Sequence, residues 1–395
     1  MIPNISEKAL SFFKENQYSH LDKEEWKYTN INKFKSFRYQ KDKKTDENYR
    51  LEQSTLNEIN ISNCEFKSAK YSKGISIFNL KEALLNNTHN CSMFFNHIIP
   101  FEKNSNVALN TAYYNNGIFI YIEDHTIIEN PIKLINTINN ASPDRFLNKR
   151  ILLLAGNNVS AKFINEEVYN EYSSINATCE VSIGNNSNIE FINISNKENS
   201  HQILNFGVNI NKNSLFNFFP LDLSGALIKN NYHFNLNKEN SQCNINGLNI
   251  LNNNDHVDNF IQINHNCNHT ISDTSFYNLL NNNSTSIFYA KAIINKNASS
   301  SEAYQNNKNM LLSEKSNIYS NPQLEIYNND VKCSHASTTG EIDKEALHYL
   351  RTRGISYEES CSLIINGFIN NILDKINIES VKSYLNNNIL NNGNK

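Results

Sequence analysis

The sequence predicts a mainly β protein, a right-handed parallel β-helix flanked by N-terminal and C-terminal helical regions, and three observations carry that expectation. From Gly117 onward the chain reads as short apolar strands separated by Asn-rich corners. One corner recurs: Asn158, Asn186, Asn213 and Asn240 are spaced by about 27 residues, within the range of solenoid repeats. After Gly340 the apolar spacing changes from that of a strand to that of a helix. The expected organisation is a mixed helical region over 1–110, a β-helix over 111–340 and a helical domain over 341–395.

In chain order, Ser6 is expected to cap a short helix running to Gln17, with Ala9, Leu10, Phe12 and Phe13 as its apolar stripe. Further helical pieces are expected around Asp22 to Trp26 and over Leu80 to Leu85. GIFIYI, IKLINTI, RILLLAG, AKFI, IEFINI, LFNFF and YHFNL have strand length and composition. One such coil cannot bury its inner face alone, but stacked coils can, pairing edge to edge through parallel strands. Asn suits the corners because it tolerates left-handed backbone angles and bonds to nearby main chain. An antiparallel sandwich is the competing architecture. Beyond Gly340, Asp343 caps a helix ending at Gly354, and Ser356 with Glu359 forms a capping box for the next. That second helix carries Ile364, Ile365, Phe368, Ile369, Ile372 and Leu373 at helical spacing, a broad face that must cover the solenoid end or another protein. Glu379 to Leu390 completes the helical tail.

The 395 residues carry 36 basic and 39 acidic side chains, a net charge of −3, with no concentrated basic block. That argues against nucleic-acid and membrane-surface binding. The abundance of Asn reads as coding bias rather than a selected tract, because Asn interleaves with regular apolar positions. Seven scattered cysteines without a C-x-x-C pair give no disulfide framework, and no signal peptide or membrane span is evident at the N-terminus. A reducing compartment is expected, the cytoplasm by default or a plastid stroma if the gene is organellar. The P-loop, G-x-S-x-G, H-E-x-x-H and G-x-G-x-x-G patterns are absent, so any ATP hydrolysis belongs to another subunit.

Cys333-Ser-His335 and Cys267-Asn-His269 are two C-x-H pairs. On a strand, residues two apart leave the same face, so Cys333 and His335 would present a thiol and an imidazole together. Four such donors would suit zinc; for Cys267 and His269 ordinary places in a coil wall are the competing reading. His256 and Asp258 in DHVD read as a satisfied structural pair, and Trp26 in EEWKYTN as a packing anchor.

PQLEIYNNDVKCSHASTTGEID and EALHYLRTRGI, with NKNMLLSEKS upstream and fainter traces at DHVDNF and EEWKYTN, resemble the C-terminal signature of the SufB/SufD family. These are the paired scaffold subunits of the Suf iron–sulfur cluster assembly complex. The resemblance implies a β-helical, non-enzymatic subunit that docks a SufB-like partner near Ile318 to His335. It also implies that Tyr349, Leu350, Arg351 and Arg353 dock a SufC-like ATPase, and that His335, with Cys333 beside it, binds iron or a transient Fe–S cluster at the shared interface. A reduced flavin in the full complex and a homodimer of the isolated chain are further expectations. The B-type pattern has a cysteine just before the stretch matching MLLS and a glutamate after the histidine. Here Asn307-Lys308-Asn309 and Ala336 stand instead, so the chain looks D-type. The rivals are a β-helical carbohydrate-active enzyme, disfavoured because strands between Asn157 and Asn268 look poor in Asp and Glu, and a metal-free interaction solenoid.

Overall fold

The corner residues set the path of the chain. In the computed structural model, which describes residues 2–17, 24–35, 57–115, 117–138, 146–169 and 172–392, Asn158, Asn186, Asn213 and Asn240 all take left-handed angles, with φ of 56°, 52°, 54° and 58°. Their side chains stack: Asn186 donates to Asn158 at 3.3 Å, Asn213 to Asn186 at 3.0 Å and Asn240 to Asn213 at 3.0 Å. The same corner continues through His269 and Ser300, with φ of 57° and 54°, where the Asn signal in the sequence has stopped.

Between corners the chain builds two parallel ladders that share one interior. Three short strands come first, β1 (Glu58–Ser62), β2 (Glu65–Lys70) and β3 (Ile75–Asn79). One ladder then runs through β4 (Ile118–Ile122), β6 (Phe146–Ala155), β8 (Ser174–Ile183), the second halves of β9 (Asn188–Ile210) and β10 (Leu215–Leu236), β12 (His256–His265), β14 (Thr285–Ile294) and β16 (Asn317–Ile326). The other runs through β5 (Ile132–Thr137), β7 (Ser160–Tyr169), the first halves of β9 and β10, β11 (Gln242–Leu251), β13 (Ile271–Leu280), β15 (Ser301–Leu311) and β17 (Val331–Glu341). The result is a β-solenoid of about seven turns. Inward-facing residues of both ladders, among them Ile151, Phe163, Phe191, Phe206, Phe218 and Phe234, form one continuous core.

The N-terminal part carries more strand than its sequence suggests. β1 and β2 are a hairpin whose two-residue turn, Asn63 and Cys64, has positive φ at both positions, the geometry that matches strand twist. β1 pairs in parallel with β5, and β3 closes the other ladder antiparallel to β4. Helices α1 (Ile2–Asn16), α2 (Asn32–Lys35), α3 (Leu80–Asn86) and α4 (Ser105–Tyr113) accompany them. Because α1 begins at Ile2, Ser6 lies within it instead of capping it, and its hydroxyl donates to the Thr111 carbonyl. Asp22 falls outside the described residues, and Glu24–Tyr28 is a turn rather than a helix.

The C-terminal helices are α5 (Lys344–Thr352), α6 (Tyr357–Leu373) and α7 (Glu379–Asn392). Asp343 accepts from the Glu345 and Ala346 amides, the Ser356–Glu359 capping box is formed, and Gly354 is left-handed with φ of 86°. The face of α6 covers neither the solenoid end nor open space. Phe368, Ile369, Ile372 and Leu373 pack with α7 on the outer flank of the second ladder, against Ile194, Leu221, Leu248 and Leu279. Those flank positions alternate with core positions along each strand, so a solenoid wall apolar on both faces needs a second layer.

Candidate functional site

Among the described residues, it is in the last coil that strands of full length lack a partner on one edge. β16 and β17 pair backwards with β14 and β15, and among the described residues neither pairs on its far edge. Along these ten- and eleven-residue strands, the outward-pointing half of the backbone donors and acceptors has no strand to pair with. No residue of either strand is buried, although they repeat the alternation of the coils beneath.

His335 lies in the middle of β17, exposed, in register with Gln305 of β15. Two residues before it, the half-buried Cys333 joins Leu324 and Val331 against a small apolar cluster of Ala292, Ile294, Ala298 and Ala303. Two residues after it, the Ser337 hydroxyl meets the Ser320 hydroxyl of β16 at 2.8 Å. Since 333, 335 and 337 share one face, the imidazole sits at the mouth between the two ladders. Burial pushes the Cys333 thiol above its ordinary pKa, although the Ala303 backbone opposes this, so ligation there releases a proton. The pair offers a nitrogen and a sulfur donor suited to iron. Among the described residues no group of three or more His, Cys, Asp or Glu stands ready to hold a metal ion, so Cys333 and His335 have no third such donor gathered beside them.

The two C-x-H pairs do not form one site. Cys267 and His269 belong to the corner before β13, and β15 separates β13 from β17. All seven cysteines are unpaired, and burial pushes Cys64 and Cys179 up to about 12, which leaves them inert as nucleophiles. Asn309, just before Met310, donates to the Thr338 carbonyl at 3.0 Å and to the Thr339 hydroxyl at 3.1 Å, tying β15 to the last strand. His256 and Asp258 are held by the N-terminal segment: Thr29 lies 3.0 Å from His256 Nε2 and donates to Asp258, which also accepts from Lys229 at 2.8 Å. Trp26 packs edge-on against Phe34 at 6.1 Å.

Tyr349, Arg351 and Arg353 are exposed and Leu350 is half-buried on α5, a helix with no buried residue. The Arg353 guanidinium stacks over the Tyr349 ring at 4.5 Å and Arg351 over Tyr357 at 5.8 Å. These rings and guanidinium groups make a mixed aromatic and cationic patch at the α5–α6 hairpin.

Sequence reasoning missed the buried charges. Glu180 accepts from Arg150 and from the amides of Asn96, Ile98 and Ile99. Glu167 is gripped inside the solenoid by Lys149 and Lys197: burial alone would raise its pKa, yet the two ammonium groups hold it well below the carboxylate range. The strands expected to be poor in acids therefore carry Glu167, Glu180, Asp222 and Asp258, but as buried groups held by lysine, arginine or amide partners and not as a solvent-facing catalytic cluster. Some of their partners sit one coil away, Arg150 and Lys197 each 30 residues from the glutamate they hold, with no local pattern to reveal them.

Residues 136–368 match the family model described as SUF system FeS cluster assembly, SufBD core domain, and residues 1–134 match that of the SufBD protein N-terminal region. The similarity thus reaches well upstream of Asp255, where the sequence resemblance is densest. Over 160 residues the chain is 31% identical to the iron–sulfur cluster assembly protein SufD of Escherichia coli, covering 40% of this chain and 38% of that one. It is 24% identical to a SufBD family protein of Synechocystis over 70% of its own length and 64% of the relative's, and 25% identical to SufD of Bacillus subtilis over 73% and 66%. The matches therefore span from under two fifths to just under two thirds of these relatives. No helix among the described residues is long and apolar enough to cross a membrane. With a core model matched over more than half of its length, the chain belongs to the SufBD family of the Suf iron–sulfur cluster assembly system.

Proposed function

We propose that this chain is a SufD-like, non-catalytic scaffold subunit working in a cytoplasmic or plastid-type compartment. β16 and β17 join edge to edge with the corresponding strands of a SufB-like subunit, satisfying backbone groups that otherwise face water. His335, with Cys333 as the neighbouring donor, then contributes to a shared site where iron or a nascent cluster is held as cargo, the remaining ligands coming from the partner. The patch of Tyr349, Leu350, Arg351 and Arg353 docks a SufC-like ATPase, whose closure strains the scaffold pair and exposes the interface. A reduced flavin on the assembled complex remains part of this reading, as does a homodimer of the chain on its own through the same edges. The observation that carries it is the open last coil, with an exposed imidazole between two unpaired strand edges.

The test is co-purification of the full chain with the products of its neighbouring genes, followed by iron and sulfide analysis of wild type and His335→Ala. The expected result is an intact complex that loses most of its iron and sulfide in the variant. Equal loading overturns the ligand role, and failure to associate with an ATPase subunit overturns the scaffold reading.

A further inference from the structure

A second concave site lies on the outer face of the first ladder, with its nearer floor strand, β12, two strands in from the open edge. Over β10 and β12 this face is left uncovered by α3 and α4, and it floors a groove of about 360 Å³, within the size range of small-molecule sites. Asn231, His233, Asn235, Gln262 and Asn264 line its floor. They face outward because the alternating residues Tyr232, Phe234, Ile261 and Ile263 fill the solenoid core. Trp26 on one side and Pro100 on the other supply walls.

The floor is a lattice of amides. Asn264 donates to Asn235 at 2.8 Å, Asn235 to Asn209 at 2.9 Å and Gln262 to Asn264 at 3.0 Å. A primary amide has two N–H donors and two carbonyl lone pairs, so each of these bonds fixes an orientation and leaves further capacity on residues that line the groove. His233 is different: among the described residues its ring makes a ring contact with Phe260 at 5.7 Å and no hydrogen bond. Burial, reinforced by Lys229, pushes its pKa down to about 4, so at neutral pH it is an uncharged ring with one donor and one acceptor. The charged groups in the lining are Lys103 and Glu25, of opposite sign. Such a site has neither the cationic cluster that phosphate recognition needs nor a surplus of acid for a cation. What it offers is oriented, neutral donors and acceptors beside a flat indole.

We propose that this groove binds an uncharged, hydroxylated ring, either a free saccharide or the ribose of a nucleoside. Vicinal hydroxyls, each donor and acceptor, match the amide lattice and the neutral imidazole, while the ring's C–H face lies against Trp26. The assignment is independent of the scaffold reading.

Trp26 is the chain's single tryptophan, so its fluorescence reports on the groove. The full chain is titrated with glucose, maltose, adenosine and AMP, following Trp26 emission. A saturable change with a sugar or with adenosine is expected, the responding arm identifying the source. Affinity should fall about tenfold in His233→Leu and in Gln262→Ala, with circular dichroism and melting temperature unchanged. Gln262 is half-buried, and its truncation keeps the test decisive if the His233 variant misfolds. No saturable response to any neutral probe overturns the proposal. So does full affinity in Gln262→Ala, or AMP binding at least tenfold more tightly than adenosine.

Discussion

At its first coils the solenoid is covered on both faces, and β6 and β8 are buried along all ten residues. At its last coil the same alternation of residues gives β17, eleven residues with none buried. The early coils are closed by antiparallel β3 and the β1–β2 hairpin and overlaid by α3 and α4, with Leu80, Phe95 and Tyr114 packed on Leu152 and Leu154. The last coil carries neither a closing strand nor a buried strand residue among the described residues, although the N-terminal segment touches it where Tyr28 stacks on Tyr319 at 3.9 Å and Gln323 donates to Glu24 at 3.3 Å. One end of the ladder is capped within the chain, and the other leaves a long strand edge unpaired among the described residues, the kind of edge that is an aggregation hazard unless something pairs with it or covers it. Three measurements can break or sharpen this contrast.

The largest effect is expected at the covered end. Arg150 and Glu180 are fully buried, and Glu180 also receives three amides of the segment that overlays β8. Arg150→Ala leaves an uncompensated carboxylate there and should destabilise the chain by about 3–5 kcal/mol in urea denaturation. This figure measures the stranded charge, not the worth of the pair. A loss under about 1 kcal/mol would mean that the overlay is held by its apolar contacts alone.

The legibility of the sequence follows the same contrast. Features fixed by a few neighbouring residues could be read: the Asn corners, the caps at Asp343 and Ser356, and the alternation that puts Cys333 and His335 on one face. The continuation of the corner through His269 and Ser300 could not, because stacking on the coil beneath overrides their own reluctance to adopt positive φ. Reading Asn as coding bias overlooked its use in ladders such as Asn249 to Asn278 to Asn309, at 2.7 Å per step. These bonds join residues about 30 apart, and no local pattern distinguishes a laddered Asn from a loop Asn. Of the site, the residue types and their shared face were legible. That the mouth is open was not, since exposure depends on which strand comes next.

An intermediate effect tests how close to the open mouth the interior stays dry. The His265 ring, at the end of β12, is fully buried between the hydroxyls of Thr270 at 2.8 Å and Ser272 at 2.9 Å, and burial pushes its pKa down to about 4. An unfolded histidine titrates near 6.5, so between about 6.5 and 4 the unfolded chain binds a proton that the folded chain refuses. Stability falls through that window by up to about 3 kcal/mol on this account. Asp222, pushed up to about 6 by burial despite Lys197, acts oppositely, since the folded chain takes its proton first. The informative quantity is therefore the difference between wild type and His265→Gln, followed by denaturation from pH 7 to pH 4. The variant should lose less stability on acidification. Parallel curves would show that water reaches His265.

The smallest effect is expected at His335. Its side chain is exposed, and the strand carrying it is held by the ladder to β15 and by Asn309, none of which needs the imidazole. His335→Ala should therefore leave the stability of the isolated chain within about 0.5 kcal/mol, against the several expected for Arg150→Ala in the same denaturant series. Unchanged stability would mean that the imidazole, at the centre of an unpaired edge, does nothing for the fold of its own chain, as the proposed interface role requires. A loss above about 1 kcal/mol would reverse that inference: the ring would then be packing the end of the solenoid, and the last coil would be finished rather than open.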